Sequence, residues 1–238
     1  MKISIKTSVA LLLASLVSLS CFAAERSEAD LERDKSSHPK QVLKFAGVKQ
    51  GDKVLDFLGG GGYYSQIIKA VVGTEGEVVL HTNQAYLSFV GEALKARTAQ
   101  GGLSGVTQLV SEAGDLKLGN NRFDLAILVL GYHDFFFKQD GWDFPADTVM
   151  PELLAALKPG GKLLIIDHAS LSGRGIQDVK TLHRIDEEFV KKDLQSRGFK
   201  LVKESDILRN ASDSRKTSVF AKESRRKTDR FVQLYVKK

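Results

Sequence analysis

Residues 54–65, Val-Leu-Asp-Phe-Leu-Gly-Gly-Gly-Gly-Tyr-Tyr-Ser, constrain this chain more than any other stretch. A short apolar run closes on one acid, passes through four consecutive glycines, and enters a segment with Ile67, Ile68, Val71 and Val72 at helical spacing. Buried strand, tight turn and helix follow one another in this way in a βα unit. Glycine adopts positive φ without a Cβ clash, so residues 59–62 can bring backbone N–H groups up to a ligand at the start of the helix, where the dipole favours negative charge. Each glycine also costs backbone entropy on folding, so four in a row suit a ligand turn better than a plain connector.

The remaining apolar runs repeat the unit. Pro39 is placed as the first residue of a helix to about Ala46, stopped by Gly47. Strands are expected at 77–81, 106–110, 123–130 and 162–167. Between them lie a helix whose Tyr86, Phe89, Val90 and Leu94 read as a buried face, a helix over 147–157, a Lys158-Pro159-Gly160-Gly161 turn, and a helix around 184–196. Strands at 199–203 and 231–236 are separated by a long basic segment and are expected to pair antiparallel. Alternation through the first five strands gives an α/β three-layer sandwich. The carboxyl edge of such a sheet is where ligands bind, and there Tyr132, His133 and Asp134 follow strand four and Asp167-His168 closes strand five.

The amino terminus is different in kind. Lys2 and Lys6 precede an apolar stretch over 9–19, then Cys21-Phe22-Ala23 with small residues at the positions a signal peptidase reads. Residues 1–23 are therefore expected to be a signal peptide, 24–37 a polar lead-in forming a mobile segment or a surface helix, and 38–238 the folded domain. Export to the periplasm or medium follows, with no transmembrane segment after cleavage and with the only cysteine lost. Of 35 basic and 29 acidic residues, eight bases and three acids fall between Arg209 and Arg230. With few aromatic residues to stack on bases, this segment reads as a solvated loop, and nucleic acid is not the expected partner.

The ordered set of motifs resembles the class I S-adenosylmethionine-dependent methyltransferases, and within them a group of exported predicted methyltransferases. The resemblance rests on Val54-Leu55-Asp56 with Gly60 and Gly62, Phe123-Asp124-Leu125, Leu157-Lys158-Pro159-Gly160-Gly161-Lys162-Leu163, Tyr132-His133-Asp134, His183-Arg184-Ile185-Asp186 and Thr228-Asp229-Arg230-Phe231. It implies a Rossmann-like, mostly parallel seven-stranded sheet with a C-terminal antiparallel hairpin, S-adenosylmethionine as cofactor, and a small-molecule methyl acceptor. Carried over by position, Asp56, Gly60, Gly61, Gly62 and Tyr63 face the amino-acid end of the cofactor, and Glu112, rather than Asp115, takes the adenine. Two positions depart from the pattern: Leu58 stands where a glycine is usual, and Asn83 is the nearest polar stand-in for the missing ribose-binding acid.

His133 is the candidate base, because its unperturbed pKa lies near neutrality; Asp134 would orient it and Tyr132 position the acceptor, with His168 and His183 as alternates. No metal is called for. NAD is a poorer fit, since Ser65 replaces the third fingerprint glycine and strand two lacks its acid. Two other readings are a non-catalytic exported module that keeps the fold to bind a ligand, and a nucleic-acid-modifying enzyme using the basic tail.

Overall fold

The computed structural model describes residues 25–139 and 141–238. The expected signal peptide lies outside them. Seven strands, β1 (Lys53–Phe57), β2 (Glu77–Thr82), β3 (Val106–Val110), β4 (Phe123–Val129), β5 (Leu157–His168), β6 (Phe199–Ser205) and β7 (Arg230–Lys237), form one sheet in the order β3-β2-β1-β4-β5-β7-β6. β1 to β5 pair in parallel, while β7 runs antiparallel to both β5 and β6. The C-terminal hairpin is as expected.

Side chains alternate across the central strands and feed two cores. Val54, Leu125, Ile127, Leu164, Ile166 and Val232 pack with α2 (Pro39–Ala46) and α3 (Tyr63–Val72). Leu55, Phe57, Ala126, Leu128, Ile165 and Tyr235 face the other way, toward α5 (Ala146–Ala156) and α7 (Glu187–Ser196). A strand buried on both faces needs apolar residues at consecutive positions, which is why these runs read as continuous.

Three expectations change. Residues 28–37 form α1 (Glu28–Ser37), started by Ser27 accepting from the Asp30 N–H, so the lead-in takes its helical form. The turn at 158–161 is drawn into β5, with a register break opposite Phe123–Leu125 and Gly160 at φ +72°. α4 (Gln84–Ala99) buries only Leu94 and leaves Phe89 76% exposed, so its aromatic residues are not a core face. α6 (Val179–Leu182) is a single turn between β5 and α7.

Candidate active site

Asp56 ends β1 almost fully buried and accepts a hydrogen bond from Ser65 Oγ at 2.6 Å. Burial pushes its carboxyl up to about 6, with the Ser65 bonds opposing. A Cβ on Gly59 would lie 2.6 Å from that carboxyl group, so glycine is required there for the acid to tuck under the turn. The chain is left-handed at Leu58 (φ +50°), Gly60 (φ +59°) and Gly62 (φ +78°). Leu58 thus keeps the backbone conformation a glycine would take, at a cost of about 1–3 kcal/mol, while its side chain packs into the core.

The glycines do different jobs. A Cβ on Gly60 would meet only Tyr86 Oη, at 3.7 Å, and the Tyr86 and Val90 side chains just beyond, so Gly60 borders open space. On Gly61 it would crowd Ala93 at 3.0 Å, and on Gly62 it would strike Leu103 at 2.8 Å and Leu80 at 3.1 Å. Gly62 therefore serves internal packing and the start of α3, and the expectation that a side chain there would fill ligand space is corrected.

At the ends of β2 and β3 the polar groups are already engaged. Asn83 Oδ1 accepts from the Tyr86 N–H at 2.8 Å, and Glu112 Oε1 accepts from the Gln84 N–H at 2.8 Å, so both cap the first turn of α4. Asp115 is exposed beside Lys117. His81 closes the space toward β1: its ring stacks on Phe57 at 4.4 Å, burial holds its pKa down to about 4, and its Nδ1 is buried without a partner.

α1 lies over the glycine turn. Asp30 pairs with Arg97 at 2.5 and 2.9 Å, and Arg97 Nε donates to the Gly61 carbonyl at 2.7 Å. Tyr63 donates its hydroxyl to Asp34 at 2.6 Å, and Arg33 stands 3.9 Å over the Tyr63 ring, so this residue serves α1. The neighbouring Tyr64 hydroxyl is buried without a partner, as is Arg230 Nε at the start of β7; Arg230 Nη2 donates to the Ser36 carbonyl at 2.5 Å. Burial raises the Tyr64 pKa to about 12, against the nearby charges of Arg33 and Arg230.

The strand-four motif builds a buried charge cluster. His133 Nδ1 lies 2.8 Å from Asp167 Oδ1, its backbone N–H donates to Asp167 Oδ2 at 2.9 Å, and Nε2 lies 3.3 Å from Asp134 Oδ1. Burial opposes a charge on the ring, but Asp167 and Asp134 outweigh it and lift His133 to about 9. At neutral pH it is an imidazolium with both nitrogens facing carboxylates, which is not the state of a general base. Tyr132 is fully buried and donates its hydroxyl to Asp193. Asp167 was not among the expected site residues, although an acid closing a buried strand was the signal for it.

The two alternate histidines differ. His168 pairs through Nδ1 with Thr228 Oγ1 at 2.8 Å, and burial together with the His133, Arg230 and Arg184 charges drives its pKa to about 3 against the pull of Asp167. His183 is half-buried and left-handed (φ +53°), its Nδ1 unpartnered, its ring 5.5 Å from His133, 5.0 Å from Phe137 and 4.7 Å from Phe220. Burial and the His133 charge lower its pKa, keeping it neutral. Among the described residues no group of three or more His, Cys, Asp or Glu side chains is arranged to hold a metal ion.

The basic tail is more ordered than a solvated loop. Fully buried Arg184 grips Asp213 at 2.7 and 3.1 Å, while buried Asp229 is met by Arg215 at 2.7 Å and Arg209 at 3.3 Å. Two concavities are present. One of about 370 Å³ is lined by Phe135, Phe137, Trp142 and Phe144 beside the strand-four motif. The other, about 720 Å³, lies between α4 and β3, lined by Leu87, Lys95 and Gln108, and contains none of the residues above.

Sheet order, hairpin and an acid-plus-glycine turn at the carboxyl edge define a Rossmann-like methyltransferase fold. The chain belongs to the ubiE/COQ5 methyltransferase family, whose sequence profile matches residues 33–206. It is 31% identical over 127 residues to the ubiquinone/menaquinone biosynthesis C-methyltransferase UbiE of Ectopseudomonas mendocina, an alignment covering 53% of this chain and 45% of that protein. The chain thus spans less than half the length of the curated relatives it matches. An S-adenosylmethionine-dependent methyltransferase from Aquifex aeolicus superposes with a TM-score of 0.64 at 21% identity, over 87% of this chain and 93% of its own. A Burkholderia thailandensis 1,6-didemethyltoxoflavin-N1-methyltransferase, solved with 1,6-didemethyltoxoflavin and S-adenosylhomocysteine, superposes with a TM-score of 0.58 at 16% identity, over 88% and 81%.

Proposed function

We propose that this protein transfers a methyl group from S-adenosylmethionine to a small, apolar acceptor outside the cytosol. One observation carries the reading: the Asp56 turn and the His133–Asp167 pair stand at the carboxyl ends of three adjacent strands, since β1 pairs with β4 and β4 with β5. A cofactor end and an acceptor end therefore lie side by side.

The residues suit the amino-acid end of the cofactor. Asp56 would take the ammonium, and the unpartnered Tyr64 hydroxyl and Arg230 Nε are buried donors of the kind a carboxylate satisfies. Gly60 leaves the turn open beside them. The cofactor supplies a methyl group already activated on a sulfonium. What the protein adds is alignment and, for a hydroxyl or ammonium acceptor, removal of a proton. His133 holds a fixed positive charge at the acceptor side, oriented by Asp167 and Asp134, while Tyr132 is locked to Asp193 and shapes the wall. His183 is the neutral ring left to accept a proton; His168, with its pKa near 3, is too weak a base. The aromatic cavity at Phe137 and Trp142 supports an apolar ring as acceptor, a chemistry consistent with the quinone pathway for which the Ectopseudomonas relative is named.

The export reading rests on Lys2, Lys6, the apolar run over 9–19 and the small residues before Ala24. The second reading, a ligand-binding module without chemistry, is favoured by the missing acid at the end of β2 and by the use of Asn83 and Glu112 as helix caps.

Isothermal titration with S-adenosylmethionine and S-adenosylhomocysteine tests both. Binding of both ligands, lost in Gly60→Val, is the expected result; binding of neither overturns the cofactor assignment. Binding without methyl transfer to any apolar hydroxylated acceptor selects the second reading. Given turnover, His183→Gln should lower it by about two orders of magnitude or more with S-adenosylhomocysteine affinity kept.

A further inference from the structure

The segment after β6 lies beyond the residues that match the family, and it turns its charges outward in one sense. Its acids Asp213 and Asp229 point inward to Arg184, Arg209 and Arg215. Lys216, Lys222, Arg225, Arg226 and Lys227 are exposed, and among the described residues none lies within ion-pair distance of an acid; Glu223 is the one exposed acid among them. Between these cations Phe220 stands 70% exposed at a tight turn closed by the Ala221 N–H on the Ser218 carbonyl.

Hydrogen bonds knit this loop to its neighbours. The Val219 N–H donates to the Leu182 carbonyl at 3.1 Å, Arg184 Nε to the Thr217 carbonyl at 3.0 Å, and Arg215 Nη1 to the Ser170 carbonyl at 3.3 Å. The loop that follows Ser170 exposes Leu171 (38%) and Ile176 (45%). The result is an apolar tip ringed by unpaired cations on one loop cluster, with the inner edge of Phe220 against His183.

We propose that this cluster docks the protein on an anionic phospholipid surface, Phe220 entering the headgroup region and the five cations meeting phosphate. An exposed aromatic ring gains by leaving water for the interface, and each Lys or Arg close to an anionic surface adds attraction that salt screens. Nucleic acid fits less well, because a single ring is not a stacking platform for successive bases.

The test is co-sedimentation of the full chain with vesicles of phosphatidylglycerol mixed with phosphatidylcholine, against phosphatidylcholine alone. Wild type should prefer the anionic vesicles by about tenfold or more at low salt and lose the preference at high salt. The variant Lys222→Gln/Arg225→Gln/Arg226→Gln/Lys227→Gln should lose it at unchanged thermal stability. Residues 1–23 are common to both chains, so the difference between them reports the loop alone. Phe220→Trp should show a blue-shifted emission on adding anionic vesicles. Equal binding of wild type and the quadruple variant overturns the proposal. So does an unshifted Phe220→Trp spectrum, self-association through the loop in place of vesicle binding, or a stronger salt-sensitive affinity for a DNA duplex that the quadruple variant abolishes.

Discussion

The buried His133 charge makes stability depend on alkaline pH in a way that can be worked out. Its pKa rises from 6.5 unfolded to about 9 folded because Asp167 at 2.8 Å and Asp134 at 3.3 Å overcome burial. A raised histidine contributes fully below the unfolded pKa and loses its contribution as pH rises through the folded one. A shift of about 2.5 units is worth about 3.4 kcal/mol at the acid limit, about 2.5 kcal/mol at pH 7 and almost nothing by pH 9.5. His81, His168 and His183 are neutral throughout this window in both states, so they do not contribute to the slope. The measurement is guanidinium unfolding of wild type and His133→Gln at half-unit steps from pH 7 to 9.5. Wild type should lose about 2.5 kcal/mol more than the variant over that span, and the His133 ring resonance should titrate near 9. Parallel curves for the two proteins, or a His133 resonance titrating near 6.5, would refute the electrostatic reading of the cluster.

The glycine turn predicts a split between neighbouring positions: Gly60→Val should fold normally and lose S-adenosylhomocysteine binding, whereas Gly62→Val should be destabilised by about 3 kcal/mol through its clash with Leu103, as chemical denaturation will show. Asp30→Ala leaves Arg97 largely buried without its carboxylate and should cost about 2–3 kcal/mol while weakening cofactor binding through the released Gly61 carbonyl, read by unfolding and titration together. Intact-mass measurement of protein recovered outside the cytoplasm should give a chain starting at Ala24, and retention of residues 1–23 or a lipid on Cys21 would show the export reading wrong.

Much of the fold was legible because buried parallel strands demand unbroken apolar runs, which Leu125 to Val129 and Leu163 to Ile166 supply. The acid and glycines after β1 were legible for the same reason, being local. What escaped depends on distant partners. Asp30 and Arg97 are 67 residues apart, and polar residues 28–37 give no apolar stripe to announce a docked helix. The pKa of His133 is set by Asp167, 34 residues away, so a reading based on its unperturbed value selected a base where the structure holds a cation. Asn83 was misjudged by emphasis: an asparagine just before a helical run signals a cap, and that is where its carbonyl goes. The tail read as a solvated loop because composition counts charges without showing that Asp213 and Asp229 turn inward.

The position of β7 governs how the chain can be made. It lies between β5 and β6, yet it is synthesised after both, so β5 lacks its second partner and β6 any partner until the ribosome has passed Lys237. During synthesis the carboxyl half of the sheet presents two open edges, and its closure must await pairing across more than sixty residues, from Lys162 to Val236 and from His168 to Arg230. Folding is thereby deferred until translation is nearly complete, which keeps the chain extended while a translocation channel could still accept it. The same order makes the last eight residues indispensable: losing them would strand β6 and leave β5 as a long apolar edge open to association with other chains.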